Sequence, residues 1–181
     1  MWIFGYGSLI WKPGFRWVEK KVGFIKGFER RFYQGSYDHR GVPGNPGRVV
    51  TLLPDEQAVT WGVAFKIIND EAQRVLKELD HREKGGYRRH RVPVYRPTAT
   101  GVATTAVDRA LVYLATEDNP HYLGPATAQE IARQVKEARG PSGPNTEYVL
   151  RLAESLRQFD VHDPHVFSVA AALRDLMARE E

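Results

Sequence analysis

The apolar positions of the chain come in two textures. Up to residue 115 they form short runs and alternations punctuated by glycine and proline; beyond it they recur at helical spacing. Trp2-Ile3-Phe4 reads as a short buried strand that runs into Gly5-Tyr6-Gly7-Ser8. Residues 22–24 and 28–33, aromatic-rich and bounded by glycine, predict two further strands. Residues 49–53 predict a strand closed by Pro54-Asp55, and 61–67 the next, the two forming a hairpin. Asn69 or Asp70 is placed to cap a helix through residue 79, with Val75, Leu76 and Leu79 on one face. Residues 87–95 alternate apolar and basic, as in a half-exposed strand, and 106–115 predict the last strand.

Three helices then follow. Thr127-Ala128-Gln129-Glu130 is a capping box, and its helix is expected to run to the stop signal Gly140-Pro141. Asn145 or Thr146 should cap a second, with Tyr148, Val149, Leu152 and Leu156 on one side. Asp163-Pro164 opens a third, cap and first-turn proline in their favoured order, with Val166, Val169, Leu173 and Leu176 inward. Strands first and helices last predict an α+β fold: an antiparallel or mixed sheet, or a small barrel, with helices packed against it. Neither a repeat nor a long linker interrupts the pattern, so 1–181 is expected to form one domain.

Composition narrows the function classes. At 181 residues, 42% hydrophobic and 27% charged, the chain is of ordinary globular type. The net charge of +4 suits an anionic small molecule as well as nucleic acid. With no cysteine, a disulfide scaffold, a cysteine nucleophile and a thiolate metal site are excluded. No secretory leader and no membrane-spanning run is legible, so a soluble cytoplasmic protein is expected.

Several stretches carry candidate chemistry. A strand entering Gly5-x-Gly7-Ser8 presents backbone N–H groups at an exposed edge, where they form a concavity for an anion; an ordinary tight turn has the same pattern. Phe28-Glu29-Arg30-Arg31-Phe32-Tyr33 interleaves arginine with aromatics, as a base-stacking surface does, and as a strand with one face inward also does. Residues 35–48 form a loop with four glycines and two prolines; loops of that length tend to be functional. Within it Arg40 and Arg48 offer two-pronged donors for a carboxylate. Asp38, His39 and Ser8 do not fit a nucleophile elbow. Asp160, His162, Asp163 and His165 include potential metal ligands, but Asp163-Pro164 is already explained as a helix start. Glu83, between Arg82 and Lys84 and ahead of Gly85-Gly86, is by spacing alone either a solvated surface carboxylate or a poised acid/base.

The string Phe4-Gly5-Tyr6-Gly7-Ser8-Leu9-Ile10-Trp11 is more specific than its glycines. It resembles the opening of the γ-glutamylcyclotransferases, the ChaC type in particular. So does Leu79-Asp80-His81-Arg82-Glu83-Lys84-Gly85-Gly86-Tyr87. Further blocks are similar to that family in the same order: Asp38 to Gly44, Gly47 to Leu52, Asn119 to Pro125 and Gly140 to Tyr148.

The resemblance implies a lyase that cleaves glutathione to 5-oxoproline and L-cysteinylglycine, with Glu83 as general acid/base. It implies that the loop Gly5, Tyr6, Gly7, Ser8, Leu9 and Ile10 cradles the γ-glutamyl group, with Arg48 and Tyr148 as further site-lining residues. Tyr148 fits the apolar face of its helix equally well. Neither metal nor another cofactor is implied, and neither a nucleic-acid nor a membrane partner. Two alternatives stay open at this point: the same site acting on another γ-glutamyl amine, and a basic RNA-binding module built on the Arg–aromatic strand and the basic stretch after Tyr87.

Overall fold

The computed structural model describes residues 1–82 and 87–179. Its strands are β1 (Trp2–Gly5), β2 (Glu19–Ser36), β3 (Gly47–Lys66), β4 (Tyr87–Pro97) and β5 (Ala103–Ala115), with a two-residue pair β6 (Arg139–Gly140) and β7 (Gly143–Pro144). Its helices are α1 (Ala72–Arg82), α2 (Ala128–Glu137), α3 (Asn145–Gln158) and α4 (Pro164–Ala178). Strands β1-β3-β2-β4-β5 form a closed barrel in that order, and the small-barrel form of the expected α+β fold is the one adopted.

The chain groups into two compact units, Met1–Glu29 with Leu52–Asn119 and Arg30–Thr51 with Pro120–Glu181. In the first, β1 pairs antiparallel with β3, from Trp2 opposite Lys66 to Gly5 opposite Val63. It pairs parallel with β5, Trp2 opposite Ala110 and Ile3 opposite Leu111, and this pairing closes the barrel. Strands β4 and β5 run antiparallel from Tyr87–Ala115 to Pro97–Ala103, with register shifts around Val94. A cluster of Ile3, Ile67, Val75, Leu79, Leu111 and Tyr113 joins α1 to the barrel strands, with Leu9, Phe15, Leu76 and Tyr87 packed against it. The predicted apolar face of α1 is therefore its buried face.

In the second unit α2, α3 and α4 pack on one another and on the ends of β2 and β3. Tyr148, Val149, Leu152, Leu156, Val166, Val169 and Leu173 are buried, as their periodicity predicts, whereas Leu176 is half-buried; Ile131 and Val135 of α2 are buried as well. Thr127 caps α2 with the complete reciprocal box to Glu130, and the Asp163 side chain accepts from Val166 N–H at 3.0 Å with Pro164 in the first turn of α4.

Several boundaries differ from expectation; helix α1 begins at Ala72 and runs to Arg82, and Asn69 and Asp70 lie in the 3₁₀ turn before it rather than at its cap. Residues 22–24 and 28–33 belong to one strand, which Gly27, at φ +84°, kinks without ending. Residues 49–53 and 61–67 are not a hairpin but lie along the single strand β3 and just past its end; Pro54 falls in its exposed stretch, where a missing N–H breaks no buried bond. Helix α2 ends at Glu137, and the Gly140-Pro141 signal marks the β6–β7 turn instead. Asn145 is not a cap: Pro144 holds that position, and the buried Asn145 side chain receives Arg48 N–H at 2.6 Å and donates to Arg48 O at 2.9 Å.

Candidate active site

The glycine loop leaves the barrel at the end of β1 and folds at once into a single 3₁₀ turn, Ser8–Ile10. Close approach explains the first glycine. A Cβ on Gly5 would lie 2.6 Å from Leu9 Cβ, and on the other side a Cβ on Gly62 would run into the Gly5 carbonyl. Such contacts exclude any side chain at either position. Tyr6 is anchored inward: its phenol donates to the Tyr113 carbonyl at 2.7 Å, and only 7% of the residue is exposed. Ile10 N–H donates to Gly7 O at 3.0 Å and Lys12 N–H to Ser8 O at 2.8 Å, which closes the turn on itself. Gly7, Ser8, Leu9 and Ile10 are half-buried. The Ile10 N–H is thus engaged within the turn, and Ile10 has its side chain left to offer.

The last turn of α1 is bound to this loop and to the barrel by polar contacts. Arg82 donates from Nη2 to Ser8 Oγ at 2.6 Å and from Nη1 to the Lys12 carbonyl at 3.4 Å. Asp80 accepts both Nε and Nη2 of Arg89, and the Tyr113 hydroxyl at 2.8 Å. The hydrogen bond from Arg89 is the main reason the Asp80 carboxyl is held below its ordinary value, against the opposing effect of desolvation. Burial first, and then the bond to Asp80, push the Tyr113 phenol up. Backbone and hydroxyl of Tyr113 thus tie Tyr6 on one side and Asp80 on the other. Glu83, with Lys84, Gly85 and Gly86, lies outside the described residues. The residues that bracket it do not: Arg82 binds Ser8, and Tyr87 packs on the cluster that also holds Leu9 and Leu79.

Arg48 and Tyr148 belong to the second unit. Arg48 donates from Nε to Gln134 Oε1 at 2.6 Å and from Nη1 to the carbonyls of Phe32 at 3.0 Å and Gly124 at 3.1 Å. Burial lowers its pKa, with Tyr33 and Glu130 acting in the opposite sense. The Tyr148 hydroxyl accepts Val50 N–H at 3.4 Å, and its ring meets Phe32 edge-on. Both residues therefore hold their own unit together. Arg40 likewise pairs with Glu147 at 2.8 Å and donates to Pro144 O.

The remaining candidates resolve into structure. Arg30 and Phe32 point inward, with side-chain exposure of 1% for Arg30, whose Nη1 lies 3.4 Å from Asp163 Oδ2. Those two side chains are therefore not on the exposed face of the strand. Of the arginines that open β4, Arg88 pairs with Asp118 and Arg89 with Asp80. His39 Nδ1 lies 3.3 Å from Ser142 Oγ, with Asp38 beside it. His165 accepts Phe32 N–H at Nε2, 3.0 Å away, and Asp163 serves as cap. Among the described residues no group of three or more His, Asp or Glu side chains is arranged to hold a metal ion. Arg82, Asp80 and Tyr113 were not singled out from the sequence. The first two lie inside the motif that contains Glu83; Tyr113 sits 33 residues from Asp80, and no local pattern marks it.

Comparisons with known proteins bear on the whole chain. Residues 1–176 match the family described as ChaC-like protein. A glutathione-specific gamma-glutamylcyclotransferase 1 from Danio rerio is 50% identical over 177 residues, 96% of this chain and 88% of the relative. The protein of the same name from Homo sapiens is 42% identical over 181 residues, 98% of this chain and 80% of the relative. Among solved structures, a γ-glutamyl cyclotransferase specific to glutathione from yeast superposes with a TM-score of 0.87 at 32% identity, over 97% of this chain and 96% of its own. The glycine turn, the α1 segment leading to Glu83, helices α2 and α3, and α4 up to residue 176 fall within one matched stretch, and the chain belongs to the ChaC-like family.

Proposed function

We propose that this protein is a γ-glutamylcyclotransferase that converts glutathione to 5-oxoproline and L-cysteinylglycine, with Glu83 as general acid/base. The relatives named above are called glutathione-specific gamma-glutamylcyclotransferases, which supports the reading. The structural observation that carries the reading is the bond from Arg82 to Ser8 Oγ: it brings the helix end that leads into Glu83 to the turn that leads out of β1. The match over 1–176 supports treating the chain as one functional domain.

In this reading the substrate supplies its own nucleophile. Its α-amine attacks its γ-carbonyl, a C–N bond closes the five-membered lactam, and the amide C–N bond to cysteinylglycine breaks. Water is not consumed. Folding the γ-glutamyl arm back on itself is an orientation problem, and well-placed intramolecular attack is worth an effective molarity of about 10⁵–10⁸ M. The ammonium must first lose a proton, since it has no lone pair to attack with. Glu83 takes that proton and returns it to the leaving amine, while the second proton that the attacking nitrogen sheds as the ring closes passes to solvent, so one carboxylate serves both steps. Backbone N–H groups around Tyr6, Gly7, Ser8 and Leu9 hold the α-carboxylate and steady the developing oxyanion. Gly5 permits the turn, and Ile10 contributes its side chain. Arg48 and Tyr148 support the reaction by fixing the elements of their own unit. No step calls for a metal or cofactor, and a reduced thiol peptide as substrate fits a cytoplasmic location.

Replacing Glu83 by glutamine removes the base and keeps the shape. The Glu83→Gln variant is expected to lose about 10²–10⁴-fold in kcat while glutathione binding, read by calorimetry, changes little. A fall in affinity as large as the fall in kcat would contradict an acid/base role.

A further inference from the structure

We infer that Arg82 is a positioning residue for this reaction: through Ser8 Oγ it holds the substrate-binding turn to the C-terminal end of α1, one residue before Glu83 in sequence. The inference rests on the reading of Glu83 as the base. The role is argued from its bond to Ser8. Its guanidinium reaches two points of one turn, the Ser8 side chain at 2.6 Å and the Lys12 carbonyl at 3.4 Å. Ser8 O and Lys12 N–H are themselves bonded at 2.8 Å, so the fork spans a closed unit rather than a loose strand of chain. A planar, two-pronged donor suits that task better than a point charge.

Anchorage of α1 does not depend on this contact. Asp80 is already held by Arg89 and Tyr113, and Val75 and Leu79 lie in the apolar cluster. What the Arg82–Ser8 bond adds is a link between two catalytic elements that are 74 residues apart in sequence. An error of about 1 Å between a bound reactant and its base costs on the order of 10²-fold in rate. A cation near a helix C-terminus is favourable for the helix whatever it touches. That interaction is indifferent to Ser8, and the two roles therefore separate experimentally.

The test is a double-mutant cycle on the full chain, with 5-oxoproline release from glutathione as readout and thermal unfolding as a control. Ser8→Ala removes the acceptor and leaves the Ser8 N–H in place. Ser8→Ala and Arg82→Gln are each expected to lower kcat about tenfold, with KM moving less than about threefold, and the double variant is expected to be no slower than the slower single variant. Losses that multiply in the double variant would show the two residues acting independently and would overturn the inference. So would full kcat in Ser8→Ala, a result that does not depend on how well Arg82→Gln folds. Absence of 5-oxoproline from the unmodified protein would instead overturn the proposed function itself, so the two failures are distinguishable.

Discussion

A methyl group on Gly5 would sit 2.6 Å from Leu9 Cβ, in a turn that has already closed its Ile10 and Lys12 hydrogen bonds. Leu9 cannot easily withdraw, because it packs on the cluster of Ile3, Val75 and Leu79. Gly5→Ala is therefore expected to destabilise the protein by about 1–3 kcal/mol and to impair turnover by displacing Gly7 and Ser8. Chemical denaturation alongside steady-state kinetics checks this, and an unchanged midpoint with unchanged KM would refute it. Gly5 and Ser8 are legible in the sequence as a turn after an apolar run, and only the longer string around them, by its resemblance, marks them as site candidates. Arg82 is not: a basic residue beside Glu83 reads as solvated until its partner, 74 positions away, is seen. Asn145 is misread for the complementary reason. Its residue type and place suit a helix cap, yet its side chain serves the Arg48 backbone.

Helix α4 meets β2 through an imidazole. His165 Nε2 accepts the Phe32 N–H, and its ring lies against Phe32 and Tyr33. Burial, and secondarily the charge of Arg31, lower its pKa to about 4, against a weaker opposing effect of Asp163. Protonation would also remove the lone pair that accepts the bond. Between its ordinary value of about 6.5 and its folded value, the unfolded chain binds a proton that the native state does not. His165 thus weighs against stability progressively as pH falls through that window, by about 3 kcal/mol in total, and has no such effect above it. His165→Gln is expected to flatten the pH dependence of the unfolding free energy between pH 4 and 6.5. An unaltered slope would contradict the assignment. At this scale the sequence predicts what is local. The capping box, the Asp163-Pro164 start and the buried stripes of α1, α3 and α4 follow from spacing over one or two turns. The great length of β2 and β3 does not, because it depends on pairing with strands distant in sequence, which local spacing does not reveal.

Taken whole, the chain encodes an order of strands and then helices that limits the fold to a sheet or barrel with helices against it, but periodicity alone does not reveal closure. Closure depends on β1 lying parallel to β5, a pairing across more than a hundred residues. The charge of the molecule leaves a nucleic-acid reading open from composition; within the fold, Arg30 and Phe32 are buried, Arg88 pairs with Asp118 and Arg89 with Asp80. The account's central claim is a reaction, intramolecular lactam formation that releases an intact dipeptide. The most direct measurement incubates the purified protein with reduced glutathione, without added metal or cofactor, and quantifies 5-oxoproline and cysteinylglycine together. Equal amounts of the two, with no free glutamate, is the predicted result. Free glutamate in place of 5-oxoproline would mean hydrolysis by water, and no product at all would mean that glutathione is not the substrate; either would contradict the account.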